Sequence, residues 1–308
     1  MITLEKIFCS TDLHPSNDEA LSYALALAKA YEARVYICHA LEGKELTGET
    51  EAKLREQIAE TVQQHCYHTN AGRPGLPDWV PIITCGDPAE IITREAAQNH
   101  ADLIVMHSRR QSYAATLLGS TAEAVSRTAP CPVLITHPNE REWVDPVTGK
   151  VRLKNILMAY DFSNDSEVAL MFALMLAEEY QSQLHLLHVL PPKTSQSFAT
   201  FEEDEFSETT RQLQEAIPEE AKLWCQVKTV VREGKPYREI LEYADEQDID
   251  LICMGVRGAG FGMQALFGSN VDRVLRQSSC PMLIARPLKP ASFVLAETKI
   301  EAEAKAPI

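Results

Sequence analysis

The chain reads as an α/β protein made of two copies of one doubly wound domain, and three observations say so. Short apolar segments alternate with segments of helical periodicity along most of its 308 residues. Such alternation implies right-handed βαβ crossovers and a parallel sheet covered on both faces. The pattern also repeats. Asp12 and Asp161, His39 and His188, and Cys131 and Cys280 each differ by 149 positions, whereas Gly86 and Gly234 differ by 148. Finally, residues 255–262, Gly-Val-Arg-Gly-Ala-Gly-Phe-Gly, lie between the apolar run Leu251-Ile-Cys-Met254 and a helical pattern starting at Asn270. Strand, glycine-rich loop and helix start together present backbone N–H groups to a phosphate.

Each copy follows one order. A first strand, Lys6–Thr11 or Asn155–Tyr160, leads to Asp12 or Asp161. The next segment has helical spacing: Ala20, Leu21, Ala24, Leu25 and Ala28 in one copy, Ala169, Leu170, Ala173, Leu174 and Ala177 in the other. A second strand ends at His39 or His188, and a long polar, acidic helical stretch follows. The third strand ends at Gly86 or Gly234, after which Pro88 or Pro236 opens a helix, where proline is tolerated. A fourth strand, the loop, a helix and a last strand, Pro132–Thr136 or Pro281–Ala285, complete the copy. Domains are expected over 1–138 and 154–290, with a polar linker over 139–153 containing Pro146 and Gly149, and a mobile tail over 291–308 that has little to bury.

Composition bounds the function. A net charge of −15 argues against a general nucleic-acid or anionic-membrane partner, because phosphate surfaces recruit Lys and Arg. There is no apolar run of transmembrane length and no signal-like N-terminus, so the expected location is cytoplasmic. The eight cysteines form no C-x-x-C pair, and Cys9, Cys38 and Cys253 sit in apolar strands as small hydrophobes. No metal site is read.

With Gly255, Gly258, Gly268 and Ser269 the chain carries G-x2-G-x9-G-S, accompanied by Asp161, Leu186-Leu-His-Val189, Gly234-Lys-Pro236 and Cys280-Pro-Met-Leu-Ile284. On these residues the chain resembles a tandem universal stress protein over nearly its whole length. The resemblance implies a five-stranded parallel sheet in the order 3-2-1-4-5 in each copy. Asp161 and Gly255 would then meet in the crevice at the carboxyl ends of the first and fourth strands, where such sheets bind ligands. It implies ATP, with or without Mg²⁺, held at Ala159, Asp161, Val189, Met254, Gly255, Arg257, Gly258, Gly268, Ser269 and Asn270. Gly255 and Gly258 would permit a tight turn and close backbone approach, and Gly268-Ser269 would open the next helix toward phosphate. Ala159 stands where many relatives have proline.

Plainer readings stand beside these. Ser269 also reads as an N-cap, Asp161 as a cap of its own helix, and Arg257 as a solvated loop residue. His39 and His188 read as structural histidines. In the first copy His107 and Arg110 replace two motif glycines, so that copy reads as degraded, with Gly119-Ser120 as ordinary helix capping and one nucleotide expected per chain. The P-loop pattern G-x4-G-K-[ST] is absent, and a binding or signalling module is preferred to a slow ATP hydrolase or a small-molecule scaffold. The last strands of the two copies, apolar and at sheet edges in that order, are expected to pair within the chain, and whole chains to form a homodimer at most.

Overall fold

The structure, a computed structural model, describes residues 3–14, 19–43, 46–66, 77–108, 119–137, 141–145, 148–192, 202–256 and 268–285. In the first half the elements are β1 (Lys6–Ser10), α1 (Glu19–Tyr31), β2 (Arg34–Leu41), α2 (Gly48–Cys66), β3 (Trp79–Cys85), α3 (Pro88–Gln98), β4 (Leu103–His107), α4 (Ser120–Thr128) and β5 (Val133–Thr136). The second half repeats them as β6 (Asn155–Ala159), α5 (Asn164–Tyr180), β7 (Gln183–Leu190), α6 (Glu202–Glu215), β8 (Val227–Glu233), α7 (Pro236–Glu246), β9 (Leu251–Gly255), α8 (Ser269–Gln277) and β10 (Met282–Ala285).

All these strands join one ten-stranded sheet in the order β3-β2-β1-β4-β5-β10-β9-β6-β7-β8. Each half therefore has the 3-2-1-4-5 order. Within a half every pairing is parallel, as crossover helices require. The halves meet where β5 and β10 pair antiparallel, with Ile135 opposite Met282, Leu134 opposite Leu283 and Val133 opposite Ile284. The last strands thus pair within one chain, which removes two apolar edges at once.

Side chains alternate across the sheet and so fill two layers. Ile7, Cys9, Val35, Ile37 and Leu134 face the layer of α1, α2, α5 and α6. Phe8, Ile104, Met106, Val133 and Ile135 face the layer of α3, α4, α7 and α8. Each layer is continuous across both halves. Matching carboxylates hold the strand starts: Asp102 Oδ2 accepts the N–H groups of Glu5 and Lys6 at 2.9 Å, and Asp250 Oδ2 those of Lys154 and Asn155 at 2.8 and 2.9 Å.

Helix α1 is buried at nine successive positions, Ala20 to Ala28. A helix apolar all round must be covered on both sides. One side packs on the sheet. The other meets a segment expected to be a polar spacer, in which Trp143 and Val144 are each 1% exposed. The Tyr23 ring meets that of Trp143 edge-on at 4.6 Å, and the Trp143 ring lies 6.2 Å from that of Tyr180 in α5. The Tyr31 hydroxyl donates to the Met175 carbonyl at 3.3 Å, joining α1 to α5 directly. An isolated antiparallel bridge, Val144 to Val151, closes the segment on itself. The connection straps the two halves. The expected tail, 291–308, lies outside the described residues.

Candidate functional site

Strands β6 and β9 are neighbours, with Ala159 paired to Met254. The chain leaves β6 toward α5 on one face of the sheet, whereas α8 lies on the other face. The crevice between them contains a cavity of about 130 Å³ lined by Ala159, Asp161, Val189, Met254, Gly255, Gly268 and Asn270, all chosen from sequence. Ser269 is exposed beside it, at the first position of α8. Arg257 and Gly258 lie outside the described residues.

Two glycines shape this place by steric necessity. A Cβ on Gly255 would stand 2.7 Å from the Asp165 carbonyl carbon and 2.7 Å from the Ser166 nitrogen. The close approach is thus to the first turn of α5, a reason for glycine independent of any phosphate. A Cβ on Gly268 would stand 3.0 Å from the Val256 carbonyl oxygen, to which Gly268 donates its own N–H at 3.0 Å. That bond returns the loop to the end of β9.

Gly268, rather than Ser269, is the N-cap of α8, and no side-chain hydrogen bond caps that helix. The N-cap reading of Ser269 is therefore corrected, and Gly119 takes the same place before α4. The opening N–H groups of such a helix have no intrahelical acceptors, and they carry the positive end of its dipole. Asp161 does not cap α5 itself. Its Oδ1 accepts from the Ser163 N–H at 3.2 Å and hydroxyl at 2.6 Å, while Ser163 caps the helix by accepting the Ser166 N–H at 3.2 Å.

An aromatic rim went unread in the sequence. Tyr160 and His188 line the cavity, and exposed Phe162 packs against both, at 5.1 Å and 4.9 Å between ring centroids. Phe162 has a φ of 62°, a turn geometry that local sequence did not signal, although the Tyr-Asp-Phe run itself was visible. His188 Nδ1–H donates to the Tyr160 carbonyl at 2.7 Å, and His39 Nδ1–H to the Thr11 carbonyl at 3.0 Å. Both histidines clip the end of one strand to its neighbour, and the carbonyl partner fixes the proton on Nδ1. Pro236 and Ile240, from the first turns of α7, add the apolar wall.

The first half keeps the crevice. Its cavity measures about 520 Å³ and is lined from the same elements, among them Asp12, Met106, Gly119 and Ser120. His107 stands where the second half has Gly255. Its Nδ1 lies 3.2 Å from Thr136 Oγ1 and 3.5 Å from Glu19 Oε2, so the ring is engaged by β5 and α1. His107 itself is among the residues that line the cavity. Gly119 donates its N–H to Ser108 Oγ at 3.3 Å, in place of the backbone acceptor used by Gly268. Arg109 and Arg110 lie outside the described residues. The two crevice helices also touch across the junction, where Arg276 of α8 reaches Glu123 of α4 at 3.1 Å while holding Asp272 at 2.8 Å.

The family model described as Universal stress protein family matches residues 3–137 and again residues 152–286. The chain belongs to the universal stress protein family. The two matched segments make it a tandem member. Universal stress protein YxiE of Bacillus subtilis is 31% identical over 144 residues, 42% of this chain and 97% of that protein. Universal stress protein Sll1654 of Synechocystis is 32% identical over 139 residues, 44% of this chain and 87% of that protein. Each thus matches less than half of this tandem chain. Among solved structures, a universal stress protein from Archaeoglobus fulgidus superposes with a TM-score of 0.65 at 22% identity, covering 92% of this chain and 97% of that one. One from Pseudomonas aeruginosa gives 0.68 at 17%, covering 96% and 98%. At those identities the likeness shows the two-domain fold alone. No helix among the described residues is long and apolar enough to cross a membrane.

Proposed function

We propose that this universal stress protein binds one adenine nucleotide, ATP with or without Mg²⁺, in the second-half crevice, and acts as a nucleotide-responsive stress or signalling module in the cytoplasm. One observation carries the reading. Residues far apart in sequence that the resemblance implied, Asp161, Val189, Gly255, Gly268 and Asn270, line a single cavity next to the start of α8.

The residues fit such a ligand. A cavity of about 130 Å³ is below the roughly 300–1,000 Å³ of sites that enclose a whole drug-sized ligand. It would take the base or ribose against Met254, Ile240 and the Val189 backbone, leaving the phosphates outside. The opening amides of α8 at Ser269 and Asn270 favour phosphate oxygens. Asp161 would accept from ribose hydroxyls, and Arg257 and Gly258 of the motif would complete the phosphate loop. Mg²⁺, when bound, would neutralise phosphate charge. The first half, lacking two of the motif glycines, serves partly as a structural partner for the second. The division into domains over 1–138 and 154–290, a linker over 139–153 and a mobile tail over 291–308, and any homodimer of whole chains, belong to this same reading.

Isothermal titration of the full chain with ATP tests it. The expected stoichiometry is close to one per chain, with binding lost in Gly268→Asp while the circular dichroism is unchanged. Two equivalent sites per chain, or full affinity in Gly268→Asp, would overturn it.

A further inference from the structure

The two crevices share a floor but not their walls. At the base, Pro88, Ile92 and Met106 of the first half match Pro236, Ile240 and Met254 of the second, residue for residue. Around them the first half is cut back at four aligned positions. Thr11 replaces Tyr160, Cys38 replaces Leu187, Ala40 replaces Val189, and Ala122 replaces Val271. All eight side chains line their respective cavities. These four smaller side chains widen the first crevice, partly offset by His107 in place of Gly255, and the cavities measure about 520 Å³ and about 130 Å³.

The lining has a definite chemistry. Cys38, Ile92 and Met106 form an apolar surface; burial pushes the Cys38 thiol up to about 12, so it stays neutral. Ser10, Thr11, Ser108, Ser120 and Thr121 bring hydroxyls. The charged groups of the described lining are the carboxylates Asp12 and Glu42, and no Lys or Arg is among them. Where Glu42 stands, the aligned residue of the second half is Pro191. Carboxylates accept hydrogen bonds from hydroxyl or amino groups and repel phosphate. The volume lies within the range of sites that enclose a small organic ligand.

From this juxtaposition we infer that the first half is a second binding site of different selectivity, taking an unphosphorylated, hydroxyl-bearing ligand with a flat apolar face, of the size and chemistry of a nucleoside. The apolar face lies on Cys38, Ile92 and Met106. The hydroxyls meet Asp12 and the Ser10–Thr11 edge, and Glu42 turns away a phosphate chain. The site is independent of nucleotide binding in the second half, and either can fail alone.

The experiment uses the full chain with adenosine as probe and ATP as the contrasting ligand, both by isothermal titration. Adenosine should bind the first crevice saturably, at least ten-fold more tightly than ATP binds there. The first crevice is isolated by refilling its walls as the second half has them. Cys38→Leu with Ala40→Val should weaken the adenosine site at least ten-fold and leave any ATP binding of the second half unchanged. Thr11→Tyr alone provides a milder variant should the double change disturb folding, which circular dichroism would report. Glu42→Gln should raise the affinity of the first crevice for ATP relative to adenosine. The inference falls if adenosine does not bind. It also falls if refilling leaves the number of adenosine sites and their affinities unchanged, or if ATP occupies the first crevice as tightly as adenosine does.

Discussion

Gly255 lies so close to the start of α5 that a Cβ there would stand 2.7 Å from the carbonyl carbon of Asp165. The last residue of β9 and the first turn of the helix after β6 are therefore in backbone contact, and this contact sets one wall of the crevice. A motif glycine read as room for phosphate is also room for a helix.

Gly255→Ala should consequently lower stability whether or not nucleotide is present. Overpacking against backbone that cannot rotate away costs about 1–3 kcal/mol. Gly268→Ala, whose Cβ would meet the Val256 oxygen at 3.0 Å, should cost less. Urea unfolding of both variants without ligand checks the order. An unchanged midpoint for Gly255→Ala would mean that α5 shifts freely, and the steric account would be wrong.

Trp143 joins the halves from within the connecting segment. Its backbone N–H donates to the Tyr23 hydroxyl at 3.1 Å, and its side chain is fully buried against α1. Trp143→Ala should cost about 3–5 kcal/mol, the usual range for emptying such a site. Trp143→Phe, which keeps the ring contact with Tyr23, should recover most of that loss. Thermal unfolding of the two variants measures it; a surface-like cost below about 0.5 kcal/mol would show that the strap holds nothing together.

The junction register is specific. Ile135 is directly opposite Met282, whereas Ile135 and Ile284 are diagonal. Directly opposed residues have Cβ atoms about 4.5–5.5 Å apart, and diagonal ones lie beyond normal disulfide reach. Under mild oxidation, Ile135→Cys with Met282→Cys should crosslink within one chain, faster than Ile135→Cys with Ile284→Cys. Gel mobility under non-reducing conditions separates the outcomes, and crosslinks formed only between chains would reject the intramolecular sheet.

His185 makes the second half sensitive to acid. Burial, with the positive charge of Lys228 in second place, holds its imidazole down at about 4, from an ordinary 6.5. Its Nδ1 lies 2.8 Å from the Tyr243 hydroxyl, whose ring is also faced by the Arg232 guanidinium. Because the folded value lies below the unfolded one, the neutral form favours the fold. That stability is complete above pH 6.5 and is lost as the pH falls toward about 4. Roughly 1–2 kcal/mol is at stake between neutral and mildly acid solution, since each tenfold difference in proton affinity is worth about 1.4 kcal/mol and relaxation around the ring takes up part of it. Urea unfolding at pH 7 and pH 5 should show a smaller decline for His185→Gln than for the native chain; equal declines would place the acid sensitivity elsewhere.

Much of the fold was legible because it rests on periodicity and repetition. Alternating apolar segments specified the βαβ units, and the offset of Asp12, His39 and Cys131 from their second-half partners specified two copies. Gly255 and Gly268 were legible because their motif has fixed spacing, and Asp161, Val189 and Asn270 came with the resemblance to the family. The strap was not, since Trp143 and Val144 are isolated apolar residues in a polar stretch, and a single tryptophan has no period. Nor was the capping by Gly268, which depends on where the helix hydrogen bonds begin.

The sequence by itself thus determined the doubly wound class and the duplication, because each follows from local pattern and the handedness of the chain, while the neighbourhood of the crevice followed from the strand order that the family resemblance implied. Only the tertiary structure decided how β5 and β10 register, what covers α1, and that the motif-poor half has the roomier crevice. Those depend on side chains distant in sequence, Tyr23 with Trp143, or Thr11 with Cys38, Ala40 and Ala122. Their combined volume becomes a wall or a cavity only once the chain has brought them together.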